Sequence, residues 1–491
     1  MTYQTLAAVD LGSNSFKLQI ARVQGDQLYM LDALKEPVRL AAGLDKNKYL
    51  TAESQQQALD CLRRFNERLR SLPREAVRCV GTSALRTAKN SASFVEAAEL
   101  TLGFPIEIIA GREEARLIYL GVINSLPASD RRRLVVDIGG GSTECITGVG
   151  ATQLDRESLQ MGCVNFSLKH FPGGKIDKAA MRGAELDARL RAQSVESEFA
   201  SHNWDEAIGS SGTVRAIGEI IEANGWGQDI TPEALTRLRE ALIKAGHIYK
   251  LSLNGLKPDR LPVLAGGFAI LSGLFDAFDI KQMHVASGAL REGLLYDLLG
   301  RMSNHDMRDE TVTELSLRYH VDRPQAERVT HLALRIFDNL RPVHANPDAR
   351  RFLAWAAQLH EVGICIAHSG YHKHSAYILE NSDMPGFSKT DQARLARLVR
   401  AQRGSLNKAT HSFSHPFSEE DWLIVWILRL GILLCRSRET PNLATLSAEI
   451  TATGYRLQLP DGWLNSNPLS LRTLEEESAI WSEVNIKVRF G

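Results

Sequence analysis

The sequence predicts an α/β protein made of two similar halves with mixed sheets, followed by a helical region and a small α+β module. Three observations carry this. A strand ending in D-x-G-x-x-S occurs twice, at Asp10–Ser15 and at Asp137–Ser142, each time after an apolar run and before a second β-prone run. Around these copies strands alternate with helical stretches, the pattern of a sheet flanked by helices. Past residue 304 the strand signals fade, ten of the 14 histidines lie from His305 onward, and helical runs dominate to about Arg438.

In chain order, Leu6–Asp10 is apolar and reads as a strand, Gly12–Ser15 as a tight turn, and Phe16–Val23 as the returning strand. Ala52–Leu72 reads as a helix, Val77–Val80 as a strand, Ser91–Leu102 as a helix, and Ile106–Ile109 as a strand feeding a helix near Arg112. The second copy repeats the grammar with Leu134–Asp137, the turn Gly139–Ser142 and the strand Thr143–Val149. It continues through two more apolar runs ending in glycine, at Ala207–Gly209 and Pro262–Gly267, and closes with a helix from Ala289 to Leu299. Asn442–Gly491 alternates β-prone and turn residues around Trp463 and Trp481. The expected domains are 1–124, 125–304, 305–445 and 446–491.

Composition sets the class. With 491 residues, 44% of them hydrophobic and 24% charged, disordered and fibrous classes are excluded. The 58 basic residues balance 58 acidic ones, so no general attraction to nucleic acid is expected. The six cysteines are far apart with no CxxC, which argues against a disulfide framework or thiolate metal site and for a reducing, cytoplasmic compartment. Met1–Ala8 lacks the pattern of a secretory signal. Trp422–Cys435, taken as the longest apolar stretch, carries Arg429 and reads as a buried helix, with Trp422 and Trp426 in the core. No amphipathic anchor or lipidation motif is evident; peripheral association with the inner membrane is the alternative setting.

The glycine turns carry the chemistry. Glycine lets backbone N–H groups approach a ligand without Cβ obstruction, and neighbouring hydroxyls add donors, so phosphate is the natural guest. The donors so placed are Gly12, Ser13, Asn14 and Ser15 in the first turn, Gly139, Gly140, Gly141, Ser142 and Thr143 in the second, and Gly209, Ser210, Ser211, Gly212 and Thr213 in a third glycine-rich segment. Asp10 and Asp137 at the strand ends would repel phosphate unless a hard cation intervened, and Mg²⁺ typically takes one or two carboxylates, waters and substrate phosphates. One copy alone would be no more than a hairpin turn. Two copies in matching contexts point to a phosphate site.

These segments resemble the exopolyphosphatase/guanosine pentaphosphatase family of the actin, sugar-kinase and chaperone ATPase superfamily. The resemblance rests on AVDLGSNSF at Ala8–Phe16, GTSALR at Gly81–Arg86, GREEARLI at Gly111–Ile118, VDIGGGSTE at Val136–Glu144, MGCV at Met161–Val164, SSGT at Ser210–Thr213 and GALREG at Gly288–Gly293, in that order. It implies two actin-like (ribonuclease H-like) N-terminal domains and Mg²⁺-dependent hydrolysis of the terminal phosphoanhydride of inorganic polyphosphate, or of guanosine pentaphosphate, in the cleft between them. It also implies a homodimer. Glu114, early in the helix after Ile106–Ile109, would be the base that orients the attacking water. Arg86 would be the guanidinium on the terminal phosphate. Asp137 and Glu144, flanking the second turn, would hold Mg²⁺ with Asp10 as a third ligand. Lys17 stands where related enzymes often have histidine and adds a cation near the site.

The C-terminal half resembles HD-type phosphohydrolases around Gln358–Gly363 and His368–Ala376, but Glu361 stands where aspartate is expected, so a second catalytic centre is not expected. His372, Lys373 and His374, with Lys17, are candidates for the path of a polyanionic chain; the alternative for the loop trio is a solvated loop. Three features resemble polyphosphatases more than nucleotide-specific relatives: Gly141, the segment Phe171–Lys175 and the histidine-rich Ser369–Ile378. A guanosine pentaphosphate 5′-phosphohydrolase is the alternative within the family, and a sugar-kinase-like ATPase or a non-catalytic polyphosphate-binding regulator are the alternatives outside it.

Overall fold

Each repeated strand–turn–strand segment opens a five-stranded sheet. In the computed structural model, residues 3–25, 27–302, 306–340, 348–411 and 416–491 are described. They form two compact units, Met1–Met307 and Arg308–Gly491. The boundary expected near residue 304 falls on 303–305, outside the described residues.

In the first unit, the strands β1 (Thr5–Leu11), β2 (Phe16–Gln24), β3 (Gln27–Glu36), β4 (Val77–Gly81) and β5 (Ile106–Ile108) form a sheet in the order β3-β2-β1-β4-β5. β6 (Arg132–Ile138), β7 (Thr143–Val149), β8 (Thr152–Leu159), β9 (Glu206–Ser210) and β10 (Met283–Val285) form the second, in the order β10-β9-β6-β7-β8. Reading β6 to β10 as copies of β1 to β5 makes the two orders identical. The senses agree too: β1 pairs antiparallel with β2 and parallel with β4, as β6 does with β7 and β9. Register carries the duplication down to single residues, because Asp10 lies opposite Lys17 and Asp137 opposite Glu144.

The helices are α1 (Ala52–Leu69), α2 (Ser83–Thr87), α3 (Ser91–Leu102), α4 (Gly111–Ile123), α5 (Cys163–His170), α6 (Lys178–Ala192), α7 (Glu196–Phe199), α8 (Ser211–Ala223), α9 (Pro232–Ala245), α10 (Leu261–Phe278) and α11 (Leu290–Met302). Thr51 caps α1 by accepting from the Ser54 amide, and Ala58, Leu62, Phe65 and Leu69 form its buried stripe. α4 and α11 share a core with the inner strands, contributed by Ala115, Ile118, Val122, Leu290, Leu294 and Leu298. Their backbones are in contact, since a Cβ on Gly121 would collide with the Ala289 carbonyl and one on Gly293 with the Leu117 carbonyl.

Pro262–Gly267, the apolar run ending in glycine, is the first part of α10, whose glycines let it pack on Ser167 and Thr213. α10 is also a longer apolar segment than Trp422–Cys435. With the short turn before it, Pro258–Phe278 is long and apolar enough to cross a membrane, and most of it is buried within this unit. Burial on nearly every side explains why it shows no amphipathic period.

The second unit contains α12 (Met307–Arg318), α13 (Arg323–Leu340), α14 (Ala349–Leu359), α15 (Tyr371–Asn381), α16 (Lys389–Ala401), α17 (Leu406–Thr410) and α18 (Glu419–Leu434). After them come β11 (Ser447–Thr451), β12 (Gly454–Gln458), α19 (Trp463–Ser466), α20 (Pro468–Ser482) and β13 (Lys487–Phe490). One hydrophobic core joins both groups: Trp426 of α18 stacks on Tyr455 of β12 at 4.7 Å, and Tyr455 meets Trp481 of α20 edge-on. Arg429 of α18 is likewise buried against Glu477 of α20, which satisfies its charge.

Candidate active site

The two glycine turns meet. A Cβ on Gly140 would lie 3.0 Å from both the Asn14 amide and the Ser13 Cβ, so the two turns are in close contact and a side chain there would push on the first. The Gly139 amide donates to the Ser142 carbonyl at 2.9 Å, closing the turn. At the start of α5, the Cys163 and Val164 amides donate to the Gly139 and Gly140 carbonyls at 2.9 and 3.0 Å. With its carbonyls held from behind, the turn leaves the Gly140 and Gly141 amides with no protein acceptor among the described residues. Free N–H groups in a concave turn are donors for an anion.

A polar cavity of about 90 Å³ opens between the turns. It brings together Asp10, Gly12, Ser13, Asn14, Ser15, Lys17, Glu114, Asp137, Gly139, Gly140, Gly141, Ser142, Ser211, Gly212 and Thr213, all sequence candidates. Ser211, which opens α8, has φ 84°, a left-handed value costly for a residue with a side chain. Its Oγ accepts from the Thr213 amide at 3.1 Å, which fixes the strained turn beside the cavity.

Five candidates of the first unit do not line this cavity. Thr143 donates to the Met161 carbonyl at 2.6 Å and Ser210 to the Gly288 carbonyl at 3.0 Å, so both hydroxyls brace the walls. Gly209 packs against Val214 and Met283. Arg86 is bonded to Glu114, which lines the cavity, and Glu144 feels the Glu114 charge. Arg86 donates from Nη1 to Glu114 Oε2 at 2.8 Å and to the Ile109 carbonyl at 3.0 Å, while its Nη2 is buried without a partner. Glu144 accepts from the Ser158 hydroxyl at 2.8 Å through Oε1, and its buried Oε2 has no partner.

The electrostatics are those of crowded carboxylates. Burial raises the Glu114 pKa above its ordinary value, against the lowering pull of Arg86. Burial also pushes Asp137 up to about 6, opposed by Lys17. Glu144 is pushed well above its usual range by burial and then by the charges of Glu114 and Asp137. Lys17 offsets part of this by donating to Asp10 Oδ2 at 3.3 Å, but Asp10 Oδ1 remains buried and unpartnered. Among the described residues no three His, Cys, Asp or Glu side chains close on one point as a complete metal cage. A site completed by waters and phosphate needs only one or two carboxylates, and orphaned oxygens on Asp10 and Glu144 beside Asp137 are the hard donors Mg²⁺ takes.

Sequence reasoning missed Thr82, Ser83 and Arg260 as lining residues. The first two stood inside the quoted GTSALR segment. Arg260 had no local signal: it comes from the turn before α10, and its guanidinium occupies the space that a side chain on Gly212 would need.

His372, Lys373 and His374 lie in the second unit, in the first turn of α15. Burial and the charges of Arg400, Arg403 and Lys373 lower the His372 pKa to about 4, so this imidazole is neutral near pH 7. Glu361 is held by Arg438, whose two terminal nitrogens donate to its two oxygens at 2.9 and 2.7 Å. A guanidinium thus occupies the carboxylate that a metal would need.

Comparison with known proteins places this geometry. The sequence model of the Ppx/GppA phosphatase family matches residues 19–302, and that of Ppx/GppA phosphatase, domain III, matches residues 307–478. Among solved structures, the chain is similar to an exopolyphosphatase from Cytophaga hutchinsonii ATCC 33406, with 24% identity and a TM-score of 0.56 over 61% of this chain and 98% of that one. It is similar to an exopolyphosphatase-like protein with 25% identity and a TM-score of 0.55 over 61% and 98% of the two chains. The PPX-GPPA enzyme of Aquifex aeolicus matches at 24% identity and a TM-score of 0.51, over 60% of this chain and 99% of that one. These likenesses span about three fifths of this chain and support its actin-like fold.

Proposed function

Because the chain belongs to the Ppx/GppA phosphatase family and is a hydrolase of phosphoanhydrides, we propose that it is an exopolyphosphatase, releasing orthophosphate stepwise from the end of linear inorganic polyphosphate. One observation carries the reading: two glycine turns with free amides converge with a buried glutamate, itself bonded to a half-free arginine, on one small polar cavity.

The residues divide the work as follows. The Gly140 and Gly141 amides and the hydroxyls of Ser13, Ser15 and Ser142 hold the terminal phosphate, and Lys17 offsets its charge. Glu114 orients a water in line with the terminal anhydride bond and takes its proton as the phosphorus–oxygen bond forms. The bridging oxygen leaves with the shortened chain, and orthophosphate is the other product. Arg86, through Nη2, stabilises charge on the transferred group, which matters because the phosphoryl transition state is loose and is catalysed mainly by positioning. Asp137 and Glu144, with Asp10, would hold Mg²⁺, which when bound neutralises phosphate oxygens beside these carboxylates. Lys373 and His374 belong to the proposal as contacts for a long polyanion in the second unit. Six free cysteines, five of them buried, fit a cytoplasmic setting. Dimerisation, implied by the family resemblance, is read by the mass of the chain in solution.

A second reading, guanosine pentaphosphate 5′-phosphohydrolase, is favoured by one feature. A cavity of about 310 Å³ adjoins the site through Asn14 and has apolar walls from Val164, Phe171, Ile248 and Val263, with Arg39 and Tyr249 at hand. Such a space suits a nucleoside.

The deciding experiment measures orthophosphate release from long-chain polyphosphate and from guanosine pentaphosphate in parallel, with and without Mg²⁺, using Glu114→Ala as control. Preference for the polymer that needs both Mg²⁺ and Glu114 is expected. Preference for the nucleotide would replace the first reading by the second, and no release from either would overturn both.

A further inference from the structure

Glu113 stands beside Glu114 on α4, yet it enters a buried ionic cluster outside the cavity. Arg116, one turn on, donates to Glu113 from Nε and Nη2 at 2.8 and 2.9 Å. The same guanidinium donates to Asp297 of α11. Asp297 also accepts from Arg78 Nη1 of β4 at 2.5 Å and from Arg301 Nε at 3.0 Å. Arg78 in turn donates to Glu107 of β5 at 3.0 Å. Three arginines and three carboxylates therefore cancel, and Arg78, Glu113, Arg116 and Asp297 are nearly inaccessible to water. The guanidinium charges hold the Asp297 carboxyl far below the usual carboxylate range, so it is ionised at any working pH.

The cluster's position gives it a role. α4 carries Glu114. β4 runs through Gly81 into α2, which carries Arg86. Asp297 accepts from arginines of both β4 and α4, and it does so from α11, whose backbone is locked against α4 at Gly121 and Gly293; Glu113, on α4 itself, lies 4.0 Å from Arg78 as well. Replacing a buried ionic cluster with apolar groups of similar volume is often neutral or stabilising, so stability alone is a weak reason for six charges here.

We propose that Asp297 is a positioning residue for the hydrolysis: by tying Arg78 to Arg116, it sets α4 against the β4–α2 segment and thereby the 2.8 Å contact between Arg86 and Glu114. This rests on the reading of Glu114 as the base.

The test is a double-mutant cycle in the full chain. Asp297→Asn and Glu113→Gln are made singly and on a Glu114→Ala background, and kcat and KM for long-chain polyphosphate are measured beside thermal melts. Each single change is expected to lower kcat by about ten- to a hundredfold, as misplacement of a catalytic group does, with KM within about twofold. On the Glu114→Ala background each change should lower kcat clearly less than it does alone, because only the share that passes through Arg86 is left to lose. An undiminished further loss on that background, or a folded variant with wild-type kcat, would overturn the proposal and leave the Glu114 reading standing. Wild-type kcat in Glu114→Ala itself would overturn both. Should Asp297→Asn not fold, Glu113→Gln, which keeps the side-chain shape, decides by the same comparison.

Discussion

Arg86 spends one terminal nitrogen on the carboxylate of Glu114 at 2.8 Å and keeps the other buried without a partner. The pair is thus an ion pair with a spare guanidinium donor, and its two sides can be separated by experiment.

The carboxylate side comes first. Glu114→Ala removes the cavity-lining carboxylate that is bonded to Arg86. It should lower kcat for phosphate release by about 10²- to 10⁴-fold, with a smaller change in KM. Wild-type kcat in the folded variant would exclude Glu114 from the chemistry.

Arg86 also fixes where Glu114 titrates. Burial raises the Glu114 pKa and Arg86 lowers it, so removing the guanidinium should raise it further. Protonated Glu114 cannot accept the water's proton, and activity is lost as pH falls through its pKa. Arg86→Ala should therefore move the acid limb of the kcat profile to higher pH, beyond slowing the reaction. An unmoved limb would mean that another group sets it.

A cation-linked stability effect is expected from Asp137, whose carboxyl is pushed up from 3.8 to about 6, chiefly by burial. Between these values the folded chain holds a proton that the unfolded chain has lost. Stability without metal therefore falls as pH rises through this window, by about 3 kcal/mol at most. Asp137→Asn should melt higher than the wild type at pH 7 in EDTA and gain nothing below pH 4. Mg²⁺ should raise the melting temperature of the wild type at pH 7 and do so far less for Asp137→Asn. Equal Mg²⁺ shifts in both would remove Asp137 from the cation site.

Gly162 lies outside the cavity but controls its shape. A Cβ there would drive into the peptide between Gly140 and Gly141, although the residue's φ of −134° is open to any amino acid. Gly162→Ala should cost roughly 1–3 kcal/mol in denaturant melts and lower phosphate release. A variant with unaltered activity would show that the turn tolerates displacement.

Much of this was legible before any coordinates. The D-x-G-x-x-S repeat announced two equivalent turns because strand, glycine and hydroxyl must fall at fixed spacing to make one. What sequence could not show came from packing. Thr143 and Ser210 look like phosphate donors, but neighbouring carbonyls claim their hydroxyls. Arg260 reaches the site from far along the chain. α10 hid its type because burial on most sides erases the amphipathic period. The segment after residue 445 read as separate, yet Tyr455 and Trp481 pack on Trp426 in the core of the preceding helices.

The duplicated hairpins differ at one matched position: Asp10 faces lysine where Asp137 faces glutamate. Linear polyphosphate repeats a single unit and carries no internal mark of where cutting should begin. Two identical hairpins would have handed it a mirror. Under the proposed reading of the substrate, one salt-bridged hairpin beside one that sets two carboxylates face to face gives the site a polarity that such a chain lacks.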